Sequence, residues 1–323
     1  MIPLPQPPDR ILYDNSANSE LRCPRRAQLK LMLGLHTPAD RNMLFGSAFH
    51  RAVESLSKWE LPLDDGSHES FNSDRFQLNG QPNTLAITQA ASVEAANHYN
   101  LQGLDEDKLA IIVRKFYLEG QVPKPALGLN GKPAVEIKFA QQLGKDEPPV
   151  VLCGTIDNLT VTTLGTDKTP YLVVTDYKST SHKSPSHHLK GYMLDSQLPF
   201  YLWFLFHFRH TILPTELLSL PLAARIRGIY VDLSPVFFAD SDVITMSPRV
   251  IKDMDAVVND SISQLHYVHD LTKRDQLAPK LGIARGACKN CDFAHICIMH
   301  NEERERATIA AAPKRTYDPA KFR

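Results

Sequence analysis

The chain has 323 residues, 43% hydrophobic and 22% charged, with 36 basic and 36 acidic side chains, the composition of an ordinary globule large enough for a proper core in one or two domains. A formal charge of zero stands against a wholly basic nucleic-acid-binding surface. The longest apolar run, Leu198 to Phe208, is too short for a membrane span and is interrupted by His207.

The opening Met1-Ile2-Pro3-Leu4-Pro5 lacks a basic region followed by an apolar stretch, so the expected location is cytoplasmic, away from membranes. Residues 1–20 read as an extended arm. A helix follows through Cys23 to about Leu33, ended by Gly34. The next helix runs from about Asn42 to Trp59, where Phe45, Ala48, Phe49, Ala52, Val53 and Leu56 make one apolar stripe. His50 lies at the margin of that stripe, with Gly46 one turn earlier to clear space over the imidazole. Taken alone it reads as a half-buried helix histidine. Residues 60–84 are polar and read as a long loop, and helical patterns resume at Ile87–Asn100 and Glu106–Glu119. A strand, Ala134–Phe139, then alternates, with Glu136 and Lys138 on one face and Val135, Ile137 and Phe139 on the other.

The most informative stretch comes next. Val150-Val151-Leu152-Cys153 leads into Gly154-Thr155-Ile156-Asp157, and Tyr171-Leu172-Val173-Val174-Thr175 leads into Asp176-Tyr177-Lys178. On a strand Asp176 and Lys178 share a face, while Tyr177 points into the other layer. An antiparallel hairpin would bring Asp157 beside Asp176, and Glu136 would join them from a neighbouring strand. Two carboxylates and a lysine at one spot can hold a hard divalent cation with a donor beside it, the equipment for cutting a phosphodiester. The tripeptide alone would pass for a surface hairpin with scattered charges.

A basic loop follows, with His182, Lys183, His187, His188 and Lys190, and then an aromatic-rich helix from about Ser196. Pro199 is tolerable in its first turn, and Gln197 and Tyr201, at i and i+4, share a face. Arg227–Leu233 reads as a strand, Ser247-Pro248 opens a helix to about Leu271, and residues 302–323 read as a flexible tail. Charge is uneven along the chain. Leu21 to Arg51 carries six basic residues against Asp40, enough for a local phosphate-binding groove on a neutral protein.

Five cysteines, without a leader, argue against a disulfide framework. Cys153 sits in a strand and reads as packing. Cys288-x2-Cys291-x5-Cys297 suits thiolates converging on one metal centre. Cys23 could supply a fourth ligand, and so could His295 or His300; zinc and iron–sulfur fit this spacing equally well.

The order of these pieces resembles the PD-(D/E)XK nuclease superfamily, and within it the RecB-like exonucleases. The matching segments are Gly46-Ser47-Ala48-Phe49-His50, Gly154-Thr155-Ile156-Asp157, Asp176-Tyr177-Lys178 and Gln197-Leu198-Pro199-Phe200-Tyr201. Cys23-Pro24-Arg25-Arg26 with Cys288, Cys291 and Cys297 looks like the split four-cysteine pattern of the iron–sulfur branch, which includes AddB-type helicase–nucleases and CRISPR adaptation nucleases. The resemblance spans about residues 16–300. There is no Walker A motif, so a helicase half is absent, and about 61–133 matches no motif.

The resemblance implies an α/β, restriction-endonuclease-like fold: a mixed central β-sheet flanked by helices, with an iron–sulfur clamp joining the N- and C-terminal segments. It implies a nuclease domain over 21–301, with a helical insertion at about 61–133 and the cluster segment at 285–300. It further implies Mg2+ or Mn2+ on His50, Asp157, Asp176 and the Tyr177 carbonyl, with Glu136 a further candidate. Asp157, Asp176 and Lys178 would be catalytic, with Gln197 and Tyr201 orienting. A 4Fe–4S cluster would sit on the four cysteines, and Arg25 and Arg26 would contact phosphates or decorate the surface. The expected activity is a DNA exonuclease preferring single strands or ends, in recombination, repair or mobile-element DNA processing. A catalytically silent iron–sulfur subunit and a zinc-stabilised interaction domain are the alternatives. The second leaves Gly154 to Lys178 unexplained.

Overall fold

A computed structural model describes residues 2–36, 39–164, 166, 168–180, 189–190, 196–232, 236–280, 288, 291–299 and 301–314. In chain order the elements are β1 (Ile11–Tyr13), α1 (Asn15–Glu20), α2 (Pro24–Ala27), α3 (Arg41–Lys58), β2 (Glu60–Pro62), β3 (His68–Ser70), β4 (Gln77–Leu78), β5 (Gln81–Pro82), α4 (Thr84–His98) and α5 (Leu104–Leu118). There follow β6 (Val135–Leu143), β7 (Val150–Thr163), β8 (Pro170–Thr180), α6 (Gln197–Phe208), β9 (Leu222–Tyr230), β10 (Phe237–Asp240), β11 (Ile244–Thr245), α7 (Pro248–Lys273), α8 (Ala294–Cys297) and α9 (Glu302–Ala311). Among the described residues no helix is long and apolar enough to cross a membrane.

The chain divides into two compact units. The larger, Ala39–Ile137 with Ile156–Ser247, holds a mixed sheet flanked by helices. Here β7 pairs antiparallel with β8, β8 parallel with β9, and β9 antiparallel with β10 and β11. This is the mixed α/β architecture expected of a restriction-endonuclease-like fold. Helix α3 starts where the Asp40 carboxylate accepts the Met43 N–H at 2.8 Å, and stops at Trp59, whose φ of 59° is left-handed. Its stripe, Phe45, Ala48, Phe49, Ala52, Val53 and Leu56, is buried as the periodicity predicts. It packs into one core with Phe116 of α5 and Tyr177 of β8. Three acids in the first turn of α5 suit the positive end of its dipole.

The expected loop at 60–84 is instead two small hairpins, β2–β3 and β4–β5. Phe71 and Phe76, fully buried, pin them to the core. Two apolar anchors in a polar stretch outweigh its turn-like composition.

The smaller unit gathers both chain ends, Met1–Pro38 and Pro248–Arg323, around Lys138–Thr155. The expected arm carries β1, which runs parallel to the start of β7, and α1. Ring atoms of Phe139 would meet a Cβ on Gly154 at 2.8 Å, so the glycine of Gly154-Thr155-Ile156-Asp157 makes room for an aromatic side chain. The tail also differs from expectation. Asn301 caps α9, and Glu305, Arg306 and Ile309 are buried, so residues 302–311 form a packed helix. Residues 315–323 lie outside the described residues.

Candidate active site

The β7–β8 register ends with Asn158 opposite Thr175, and Asp157 and Asp176 are the next residues on the two strands. Asp157 Oδ2 accepts the Tyr177 N–H at 2.8 Å, which fixes the carboxylate against the next strand. Both aspartates are buried, Asp176 to 1% exposure. Strand alternation turns Tyr177 into the core, where it meets Phe116 edge-on at 5.9 Å.

His50, from α3, lies over this pair. Its Nε2 donates to the Tyr177 carbonyl at 2.9 Å, while Nδ1 lies 3.3 Å from Glu136 Oε1 and 3.5 Å from Asp157 Oδ2. Acceptors at both ring nitrogens favour the imidazolium. Burial opposes its charge, yet Asp157 and Glu136 outweigh burial and lift the pKa to about 9. Gly46 has a different role from the one expected. A Cβ there would stand 3.1 Å from Ser179 Oγ, so the glycine admits the end of β8 rather than clearing the imidazole.

Glu136 has φ +50°, a left-handed backbone on a residue with a side chain. Such a conformation costs about 1–2 kcal/mol and is held here by neighbouring bonds from Val135 N–H to Pro133 O and from Leu159 N–H to Ala134 O. Strain of this kind gathers where a side chain must be aimed. No sequence pattern signals it.

On the other side of Asp176, Lys178 Nζ lies 2.9 Å from Oδ2 and Gln197 donates to Oδ1 at 2.8 Å. Gln197 Nε2 is also 3.1 Å from the Tyr201 hydroxyl, so the i, i+4 pair on α6 acts as one unit. Burial and the Asp157 charge raise the Asp176 pKa to about 6. Burial also holds the Tyr201 phenol well above its usual value, so it stays protonated.

Ligand atoms of His50, Glu136 and Asp157 lie within 4.8 Å of one another. Once the cation displaces the His50 proton, an imidazole and two carboxylates, with the Tyr177 carbonyl beside them, fit a hard or borderline divalent cation. Asp176 stands outside that triplet, its carboxylate held by Lys178 and Gln197. The site opens into a cavity of about 560 Å3 whose walls include Asn42, Ser47, Arg51, Glu54 and Tyr99. Sequence reasoning missed these. Ser47 and Glu54 could have been found from helical spacing around His50, and Arg51 from its i+4 spacing to Ser47; Tyr99, at the end of α4, carries no local signal. The loop with His182, Lys183, His187 and His188 lies outside the described residues.

In the smaller unit Cys23 is buried, and Cys288, Cys291 and Cys297 are half-buried. Burial raises the Cys291 and Cys297 thiols. Cys291 also feels Cys23 and Cys288, and Cys297 feels Cys23 and Cys291. Among the described residues no three cysteine sulfurs lie within 4.8 Å of one another. A closed zinc site needs sulfurs about 4 Å apart. His300 lies outside the described residues. Cys153 is buried in β7, its thiol pushed up to about 12 by burial and Asp14.

The two arginines, read as phosphate contacts or surface decoration, are engaged within the fold. Arg25 is buried, donating to the Ala278 carbonyl at 2.7 Å and to Glu305 at 2.6 Å, which corrects its reading as a phosphate contact. Arg26 pairs with buried Glu20, which also holds Lys30 at 2.8 Å.

The family model described as PD-(D/E)XK nuclease superfamily matches residues 15–298, an interval that contains every residue of both sites. No curated protein matches the chain.

Proposed function

The chain belongs to the PD-(D/E)XK nuclease superfamily, whose members are metal-dependent nucleases, and from that premise we propose a DNA exonuclease that prefers single strands or duplex ends. The observation that carries this reading is the meeting of His50, Glu136 and Asp157 with the Asp176–Lys178 pair.

His50, Glu136, Asp157, Asp176 and the Tyr177 carbonyl would hold Mg2+ or Mn2+. Bound there, the cation supplies Lewis-acid polarisation of the scissile phosphate and a more acidic water. Lys178 holds a proton at Nζ beside Asp176, where it positions the nucleophile or offsets developing phosphate charge. Gln197 orients Asp176, and Tyr201, protonated, orients Gln197. Arg51 and Asn42 in the cavity wall are placed to meet a strand, although Arg51 is also clasped by Glu94 at 2.6 Å.

Cys23, Cys288, Cys291 and Cys297 would carry a structural 4Fe–4S cluster in a nuclease domain over about 21–301. Their mutual electrostatic influence supports this, as does the gathering of both chain ends into one unit. Recombination, repair or mobile-element DNA processing is the proposed setting, by analogy with the RecB-like nucleases that the motif order resembles.

The test is a manganese-supplemented assay on end-labelled linear single strands, blunt duplexes and circular single strands. Linear substrates should shorten while circles stay intact. Circles cut as fast as linear strands would overturn the exonuclease reading.

A further inference from the structure

The sheet face turned away from Asp157 and Asp176 carries a second cavity, within the larger unit. Alternation along β7 puts Asn158, Thr160 and Thr162 on that face. The register sets Asn158 beside Thr175 of β8, Thr175 beside Arg225 of β9, and Tyr177 beside Arg227. With Lys124, from the segment after α5, these residues line a space of about 350 Å3 whose walls hold three cations and no carboxylate. The walls of the first cavity, by contrast, include Asp40, Glu54 and Glu136.

Two features point to a ligand. Asn158 is 1% exposed, yet among the described residues neither its amide nitrogen nor its amide oxygen has a hydrogen-bond partner, and the Thr160 hydroxyl is likewise unpaired. Buried polar groups are normally satisfied, and a core amide left open on both sides is costly. Positive charge is also in excess. Asp240 takes Arg227 through two bonds of 2.6 and 2.8 Å and lies 3.0 Å from Arg225 Nη1, so one carboxylate stands against two guanidiniums. Arg225 Nε donates to Thr175 Oγ1 at 3.3 Å, which holds the guanidinium along the row that begins at Asn158.

We propose that this cavity binds the phosphate group of a small molecule. Arg225 and Lys124 supply charge, the Asn158 amide and the Thr160 hydroxyl donate to phosphate oxygens, and Asn158 Oδ1 accepts from a ligand hydroxyl. Arginine with fixed neutral donors is the usual answer to an oxyanion. The pocket rests on none of the catalytic assignments above, and its test uses no cleavage.

The test is calorimetric titration of the full chain in EDTA with inorganic phosphate and, in parallel, with a deoxynucleoside monophosphate. Saturable binding is expected, weakened about tenfold or more in Arg225→Gln, as loss of one charge-assisted contact implies. Asn158→Leu should melt higher than wild type without ligand, because an unpaired amide is gone, yet gain less from phosphate. Binding should persist in Asp176→Asn, which separates this pocket from the metal site. If Arg225→Gln does not fold, exposed Lys124→Ala takes its place. Tighter binding of the nucleotide assigns the pocket to nucleotides, and equal binding assigns it to free phosphate. No saturation by about 10 mM, or binding lost in Asp176→Asn and intact in Asn158→Leu, would overturn the proposal.

Discussion

Lys178 extends from β8 with 25% of its side chain exposed, its ammonium 2.9 Å from Asp176. Its removal takes a charge from the reacting centre and little from the core. Lys178→Ala should therefore lose about a hundredfold or more in kcat while keeping its fold by circular dichroism, and a fully active variant would contradict the role. His50 offers a test without substrate. Its pKa is raised from 6.5 to about 9 in the folded protein, so the folded state keeps a proton that the unfolded chain releases. That stabilisation is complete below pH 6.5 and is lost as pH rises through 9. The melting temperature of metal-free protein should decline across this window, and His50→Ala should lack that part of the decline. A matching decline in the variant would return His50 to a packing role. The sequence was informative where chemistry follows strand alternation, as at Asp157, Asp176 and Lys178, or helical spacing, as at Gln197 and Tyr201. It was silent on Glu136's left-handed backbone, which is flanked by a local bond, Val135 N–H to Pro133 O, and a distant one, Leu159 N–H to Ala134 O.

Among the elements, α3 was legible because it buries one face at the helical period, and β7 and β8 because each is an apolar run buried on both faces. Polar composition misled at 60–84, where two buried phenylalanines fix short hairpins. The tail misled for a related reason: α9 has a weak apolar stripe and is held instead by charge. Glu305, 3% exposed at its side chain, accepts from Arg25 at 2.6 Å and also pairs with Lys280. Glu305→Ala would leave the buried Arg25 guanidinium without its carboxylate and should cost about 3–5 kcal/mol in denaturant unfolding. A loss below about 1 kcal/mol, the range of exposed pairs, would show that α9 docks by other means.

For the whole molecule, the proposed cluster ties ligands from opposite ends of the chain. Closing so long a loop carries an entropic penalty that metal ligation offsets on folding. Cys23→Ser should therefore lose iron, brown colour and cooperative unfolding together, whereas Cys153→Ala should keep the colour and lose only packing. Stoichiometric zinc without iron, or a Cys23→Ser protein with full iron content, would refute the cluster. In the proposed active site, His50, Glu136, Asp157 and Asp176 would form a metal-dependent nuclease centre. Its most direct test is the rate of phosphodiester cleavage as EDTA-stripped protein is titrated with Mn2+. No cleavage is expected without metal, and a saturating rise on adding it. Cleavage that persists in EDTA, or none at saturating Mn2+, would contradict it.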